Sequence, residues 1–229
     1  MTIRAVVFDR DGVLTDFDGL AAYNFFSPLL PIPLEELNDY WFRWGDIQGP
    51  PTNLVEESFF WEGFWVYLRD TLNLSAEVYE QLRAVDYTRF IFAFPETRQT
   101  LQAVKRQGFK IGVLSNFSLA SLDTSLENVG LRDLVDATCA ATVIGVSKPE
   151  AEAYLKMAQA LNVQPHECLF FDDELPNVKG ARAVGMQAYW VHRRQAKHEL
   201  AKGIVGDLSI VPSLAAELVN AVITTESVQ

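Results

Sequence analysis

Two short apolar runs in this chain each end in aspartates, and that pattern limits what it can fold into. Ala5-Val-Val-Phe8 leads into Asp9 and Asp11, and Cys168-Leu-Phe-Phe171 leads into Asp172 and Asp173. Apolar runs without polar alternation read as strands buried on both faces, as inside a parallel sheet. In extended backbone, residues i and i+2 point the same way, so Asp9 and Asp11 are expected on one side, with Arg10 turned off it. Gly12 then permits a sharp turn. Carboxylates at the carboxyl ends of buried strands stand where open α/β sheets bind ligands.

Further along, strand and helix signals alternate. Residues 109–115, 134–139, 187–191 and a short stretch at 208–211 read as strands. Helices are expected from Pro95 to Gly108, from Ser118 past Val129, over 149–161, over 177–184 and from Ser213, with residues 224–229 frayed. This alternation predicts an α/β fold built on a doubly wound parallel sheet with right-handed crossovers. Residues 16–92 break the pattern. They hold no convincing buried strand but carry Trp41, Trp44, Trp61 and Trp65, four of the five tryptophans. Trp61, Trp65, Leu68 and Leu72 recur at helical spacing; residues 34–44 form a second candidate helix, and Ser75 caps a third toward Tyr87. Residues 45–53 read as a loop. The chain thus divides into a core (1–15 and 93–229) and an all-helical insertion (16–92). Aromatic stripes of this kind serve first as core, but their number leaves some to face a pocket.

Composition excludes several partners. With 229 residues, 49% of them apolar, the chain can bury a full core; its net charge of −11 argues against nucleic acid and anionic membranes. No apolar run approaches membrane-spanning length, the N-terminus carries no signal-peptide pattern, and Cys139 and Cys168 form no CxxC pair. A cytoplasmic protein with reduced thiols is expected. The histidines are scattered, and the basic stretch from His192 to His198 reads as a solvated surface.

In a doubly wound sheet the polar strand ends converge. Asp9, Asp11, Ser115, Asn116, Lys148, Asp172 and Asp173 would then share one crevice. Carboxylates ~4 Å apart repel by about 4 kcal/mol at an effective dielectric of ~20, so positive charge must offset them. Lys148 is one source, and a hard divalent cation is the other; an all-oxygen acidic site suits magnesium. Such a site, with a lysine, a hydroxyl and amide donors, fits a phosphoryl group.

These residues carry a resemblance. Asp9-Arg-Asp11-Gly-Val-Leu-Thr-Asp16, Leu114-Ser-Asn116, Gly145-Val-Ser-Lys148-Pro149 and Phe171-Asp-Asp-Glu-Leu-Pro-Asn177 resemble, in order, the four motifs of the haloacid dehalogenase-like hydrolase superfamily, in its phosphatase-type branch. The resemblance implies a Rossmann-like core with the insertion closing over it as a helical cap. It implies a magnesium-dependent phosphatase acting on a small phosphorylated metabolite through an aspartyl-phosphate. Asp9 would be the nucleophile, and Asp11 would protonate the leaving oxygen and later take a proton from water. Ser115, Asn116 and Lys148 would hold phosphate. Asp9, the backbone carbonyl of Asp11, and Asp173 would bind magnesium, with Asp172 close by. Asn177 falls where many members carry an acid, and Arg10 departs from the more usual apolar residue. Related caps place a loop over the core, which makes Arg43, Asp46 and Asn53 candidate substrate contacts. A phosphosugar mutase, a metal-free dehalogenase and a non-catalytic binding protein remain as alternatives; the presence of Asp11 and the Asp172-Asp173 pair weighs against the dehalogenase.

Overall fold

The structure is a computed structural model that describes residues 2–195 and 197–226. Its strands are β1 (Ala5–Phe8), β2 (Thr15–Phe17), β3 (Ile91–Ala93), β4 (Lys110–Ser115), β5 (Ala137–Ala140), β6 (Cys168–Asp172), β7 (Gln187–Val191) and β8 (Ile204–Val205). Six of them form one sheet in the order β5-β4-β1-β6-β7-β8, and every pairing is parallel. This is the doubly wound Rossmann-like sheet expected from the alternation.

Strand β1 shows why its run is wholly apolar. Val6 and Phe8 enter one core layer with Leu101, Val104 and Leu122; Ala5 and Val7 enter the other with Tyr154, Met157 and Val178. Each fully buried side chain of this kind contributes roughly 1.5–3 kcal/mol. Phe8 pairs with Val113 on one side and Phe171 on the other, so the carboxyl ends of β4, β1 and β6 lie side by side. The crossover helices are α5 (Thr97–Arg106), α6 (Leu122–Asn128), α7 (Ala141–Ile144), α8 (Ala151–Ala160) and α9 (Leu175–Ala183), and α10 (Val211–Glu226) follows the last strand. Helices α8 and α9 approach closely at Gly180, where a Cβ would stand 2.7 Å from the Pro149 carbonyl oxygen.

The insertion folds around its own aromatic core. It comprises α1 (Gly19–Phe26), α2 (Leu34–Gln48), α3 (Leu54–Leu72) and α4 (Ala76–Arg83), packed on Phe26, Phe64, Trp65, Leu68 and Leu82. Asp18, Asn53 and Ser75 each cap the N-terminus of the helix that follows by accepting backbone N–H bonds.

Several local expectations are corrected. The insertion is not all-helical at its ends: β2 and β3 pair as an antiparallel ribbon that joins it to the core. Three-residue strands with exposed Asp16, Phe17 and Phe92 are too short for alternation to show. Residues 45–48 belong to the helix Leu34–Gln48 rather than to a loop, because Gly45 is tolerated within it and Gly49, at φ 75°, ends it. The sixth strand is Ile204–Val205, not 208–211; Asp207 accepts bonds from Ser209 N and Oγ and turns the chain there. Helix α10 runs to Glu226, and the rest of the frayed end expected at 224–229 lies outside the described residues.

Candidate active site

Asp9 begins where β1 stops. Its N–H donates to the Phe171 carbonyl (2.8 Å), which fixes it against β6. Its Oδ1 accepts from Arg10 N (2.7 Å) and from Lys148 Nζ (2.8 Å). Lys148 is buried and also reaches Asp172 Oδ2 at 2.7 Å. The backbone that presents this ammonium is clamped by an amide: Lys148 N donates to Asn116 Oδ1 (2.8 Å), and Asn116 Nδ2 donates to Lys148 O (2.9 Å). The Asn116 side chain is therefore a brace for Lys148. Ser115 ends β4 and lines the same crevice, a hollow of about 430 Å³ that also takes in Asp9, Asp11, Lys148, Asp173 and Asn177.

The electrostatics follow from burial. Desolvation pushes the Asp9 carboxyl up to about 7, with Asp172 adding to the rise and Lys148 opposing it. Desolvation, reinforced by Asp172, pushes Asp173 up to about 6. Burial draws the Lys148 ammonium down, but Asp9 and Asp172 together outweigh that and hold it above its ordinary value.

Asp172 and Asp173 are not equivalent. Asp172 is fully buried, and both its oxygens are engaged: Oδ1 accepts from Glu174 N (2.8 Å) and Asn177 Nδ2 (3.1 Å), while Oδ2 accepts from Lys148 Nζ and from Asn177 Nδ2 (3.2 Å). Among the described residues, no other side chain bonds the carboxylate of Asp173, which lies against Gly12. A Cβ on Gly12 would fall 2.2 Å from Asp173 Oδ2, and its φ of +73° also favours glycine. Asp9, Asp172 and Asp173 each offer one oxygen within 4.8 Å of the others. This all-oxygen set fits a hard divalent cation such as magnesium; the Asp11 side chain stands outside it.

Asp11 and Arg10 depart from the expected geometry. The chain is extended only as far as Asp9; beyond it, Leu14 N and Thr15 N both donate to Arg10 O, and the loop curls. Arg10 is buried, not turned away, and its guanidinium forks onto Asp11 (Nε to Oδ1 3.0 Å, Nη2 to Oδ2 2.7 Å). Its third nitrogen donates to Ser125 Oγ (2.9 Å), and the group lies 3.9 Å from the Phe117 ring centroid. Asp11 still lines the crevice.

Arg193, from the stretch read as solvated, is also engaged. It donates to Gly12 O (2.9 Å), to Val13 O and to Glu96 (2.8 Å), bracing the turn after the aspartates. Glu57 is buried in the insertion and joins it to the core by accepting from Ser121 N (2.8 Å) and Ser121 Oγ (2.6 Å). A charged residue four positions before Trp61 on an aromatic helix was the available sequence signal. The three candidate substrate contacts lie apart from the crevice. Asn53 is a helix cap, Arg43 and Asp46 are exposed on the helix Leu34–Gln48, and none of them lines the crevice.

A parallel sheet with an acidic, lysine-centred crevice at the ends of β1, β4 and β6 defines the class, and sequence comparison identifies the family. The haloacid dehalogenase-like hydrolase family matches residues 3–185, and the chain belongs to it; it is a hydrolase. It is 40% identical over 210 residues to a Mycobacterium tuberculosis protein named phosphatase MT3486, covering 91% of this chain and 95% of that one. It is 33% identical over 100 residues to an (S)-2-haloacid dehalogenase of a Pseudomonas species, covering 44% and 43%. In fold it is similar to a phosphatase structure from Thermococcus onnurineus, with a TM-score of 0.63 at 24% identity over 93% of this chain and 97% of that one.

Proposed function

We propose that this hydrolase is a magnesium-dependent phosphatase that cleaves a small phosphate monoester through an aspartyl-phosphate on Asp9. The observation that carries this reading is the group of Asp9, Asp172 and Asp173 oxygens within 4.8 Å of one another around Lys148. Asp9 Oδ1 is tied by Arg10 N and Lys148, so Oδ2 is the oxygen available to attack phosphorus. The phosphorus–oxygen ester bond breaks, and the departing alkoxide takes a proton from Asp11. Asp11 then accepts a proton from the water that attacks the acyl phosphate, which releases inorganic phosphate and restores Asp9. One of the two Arg10 contacts to Asp11 gives way for either step, while the other keeps the carboxyl oriented. Ser115 and the amide of Asn116 hold phosphate oxygens, and Lys148 offsets their charge.

Asp9 and Asp173 would hold magnesium directly, because Asp172 is already saturated by Lys148, Asn177 and Glu174 N. Magnesium would neutralise charge on the transferring phosphoryl group. A dehalogenase of 2-haloacids, the activity named for some relatives, must bind a substrate carboxylate and needs no cation site. Three clustered carboxylates disfavour that anion without a metal to offset them. The mutase alternative uses the same groups and is not favoured by any feature of the site.

The test is phosphate release from a panel of monoesters, with magnesium or chelator, beside halide release from 2-haloacids. Magnesium-dependent phosphate release that Asp9→Asn abolishes is expected. Halide release without metal, and no phosphate release, would overturn the reading.

A further inference from the structure

Beside the catalytic crevice lies a second hollow of about 240 Å³, formed between the insertion and the core and open to solvent. Its walls include Trp41, Trp61, Phe64 and Tyr87 from the insertion side and Phe117 and Ser118 from the core. Phe117 and Ser118 also wall the crevice that holds Asp9 and Asp11, so the two hollows adjoin through a shared edge. The rings brace one another: Trp41 lies 4.6 Å from Trp61, Trp61 stacks on Tyr87 at 5.4 Å, and Tyr87 meets Phe117 at 6.1 Å. Among the described residues no charged side chain lines this chamber, and its polar residues are Asn38, Ser118 and Tyr87.

We propose that the chamber receives the alcohol portion of the substrate and that this portion is an uncharged, flat apolar body the size of one substituted aromatic ring. The inference rests on the phosphatase reading above and narrows its substrate class. A dry apolar cavity of about 150 Å³ holds benzene, so a chamber of 240 Å³ takes a ring with a short substituent. A sugar or polyol would press several hydroxyls against aromatic faces with few partners, and each unpartnered hydroxyl opposes binding. The Arg10 guanidinium packs behind the Phe117 ring, 3.9 Å from its centroid, and is already paired with Asp11. The phosphate remains in the acidic crevice, and the shared edge at Phe117 and Ser118 marks where the ester oxygen passes between the two.

The experiment compares benzyl phosphate with glycerol 3-phosphate and glucose 6-phosphate. All three are esters of primary alcohols, so differences in leaving-group reactivity are small. The expected kcat/KM for benzyl phosphate is at least tenfold above either polyol ester. Trp41→Ala, which removes a wall, and Asn38→Asp, which places a charge at the rim with little change of volume, should each lower the ratio of benzyl to glycerol ester kcat/KM by at least tenfold. Equal or better turnover of a polyol ester, or a ratio unmoved in both variants, overturns the substrate class and leaves the phosphatase reading standing. If no ester is hydrolysed, that reading fails, and tryptophan emission decides the chamber by itself. A saturable change with benzyl alcohol that Asn38→Asp weakens supports it, and no change overturns it.

Discussion

Replacing Lys148 by methionine isolates the electrostatic centre of the site. The stem keeps its volume, and the buried ammonium is lost. That ammonium contacts Asp9 Oδ1 at 2.8 Å and Asp172 Oδ2 at 2.7 Å. At an effective dielectric of ~20 each contact is worth ~6 kcal/mol, whereas carboxylate oxygens as far as 4.8 Å apart repel by ~3.5 kcal/mol per pair. One lysine therefore roughly balances three carboxylates, and without it their repulsion is uncompensated. The folded chain escapes by binding a proton. Holding a carboxyl protonated at pH 7, against an ordinary value near 4, costs ~4 kcal/mol, which caps the loss. The expected destabilisation is thus ~3–5 kcal/mol at pH 8, in line with other broken buried pairs. The sign with pH follows. The variant's carboxyls are raised above their unfolded values, so its stability is retained below about 4 and lost as pH rises through the folded values. Urea titrations of both proteins in chelator, at pH 5 and pH 8, give the answer. A loss below ~1 kcal/mol at pH 8, or one that does not shrink at pH 5, would refute the balance described.

The metal-free protein itself should lose stability between pH 4 and pH 7, because Asp9 at about 7 and Asp173 at about 6 bind more protons folded than unfolded. Millimolar magnesium should raise the melting temperature more at pH 8 than at pH 5, and a shift equal at both would count against metal binding by these carboxylates. Arg10→Lys keeps a charge but removes the fork on Asp11, so kcat should fall ~100-fold with KM nearly unchanged. A wild-type kcat would show that Arg10 does not position Asp11. Gly12→Ala forces a Cβ into Asp173 at a φ of +73°, and it should cost at least ~1 kcal/mol and weaken magnesium binding in a calorimetric titration. Binding as tight as wild type would show that Asp173 is not a direct ligand.

The features legible in the sequence are those written locally. Buried runs at Ala5–Phe8 and Cys168–Asp172 announce central parallel strands, and the aspartates after them mark the crevice. The tryptophan-rich helices of the insertion are legible for the same reason, through spacing alone. Strands of two or three residues are not, because Ile204–Val205 and Ile91–Ala93 are shorter than any period they might display. The reach of Arg193 to Gly12 O spans 181 positions and leaves no trace in either neighbourhood. Asp46 falls on a helix for a related reason: composition places a loop there, and the helix Leu34–Gln48 runs one turn further into it.

The different surroundings of Asp172 and Asp173 trace to one residue, Asn177. An acid at position 177 would add negative charge beside Asp172 and would need a cation of its own. Asn177 instead donates its amide to both Asp172 oxygens and to Glu174 Oε2 (3.0 Å). With Lys148 and Glu174 N, that amide consumes the acceptor capacity of Asp172. Asp172 thereby becomes the group that orients Lys148, and Lys148 in turn holds Asp9. Asp173, whose backbone carbonyl accepts from Trp190 Nε1 (2.7 Å), keeps its carboxylate free of side-chain donors among the described residues. Giving Asp172 the role proposed for Asp173 would require breaking four hydrogen bonds at its carboxylate, so satisfied valence rather than proximity favours Asp173 as the proposed ligand.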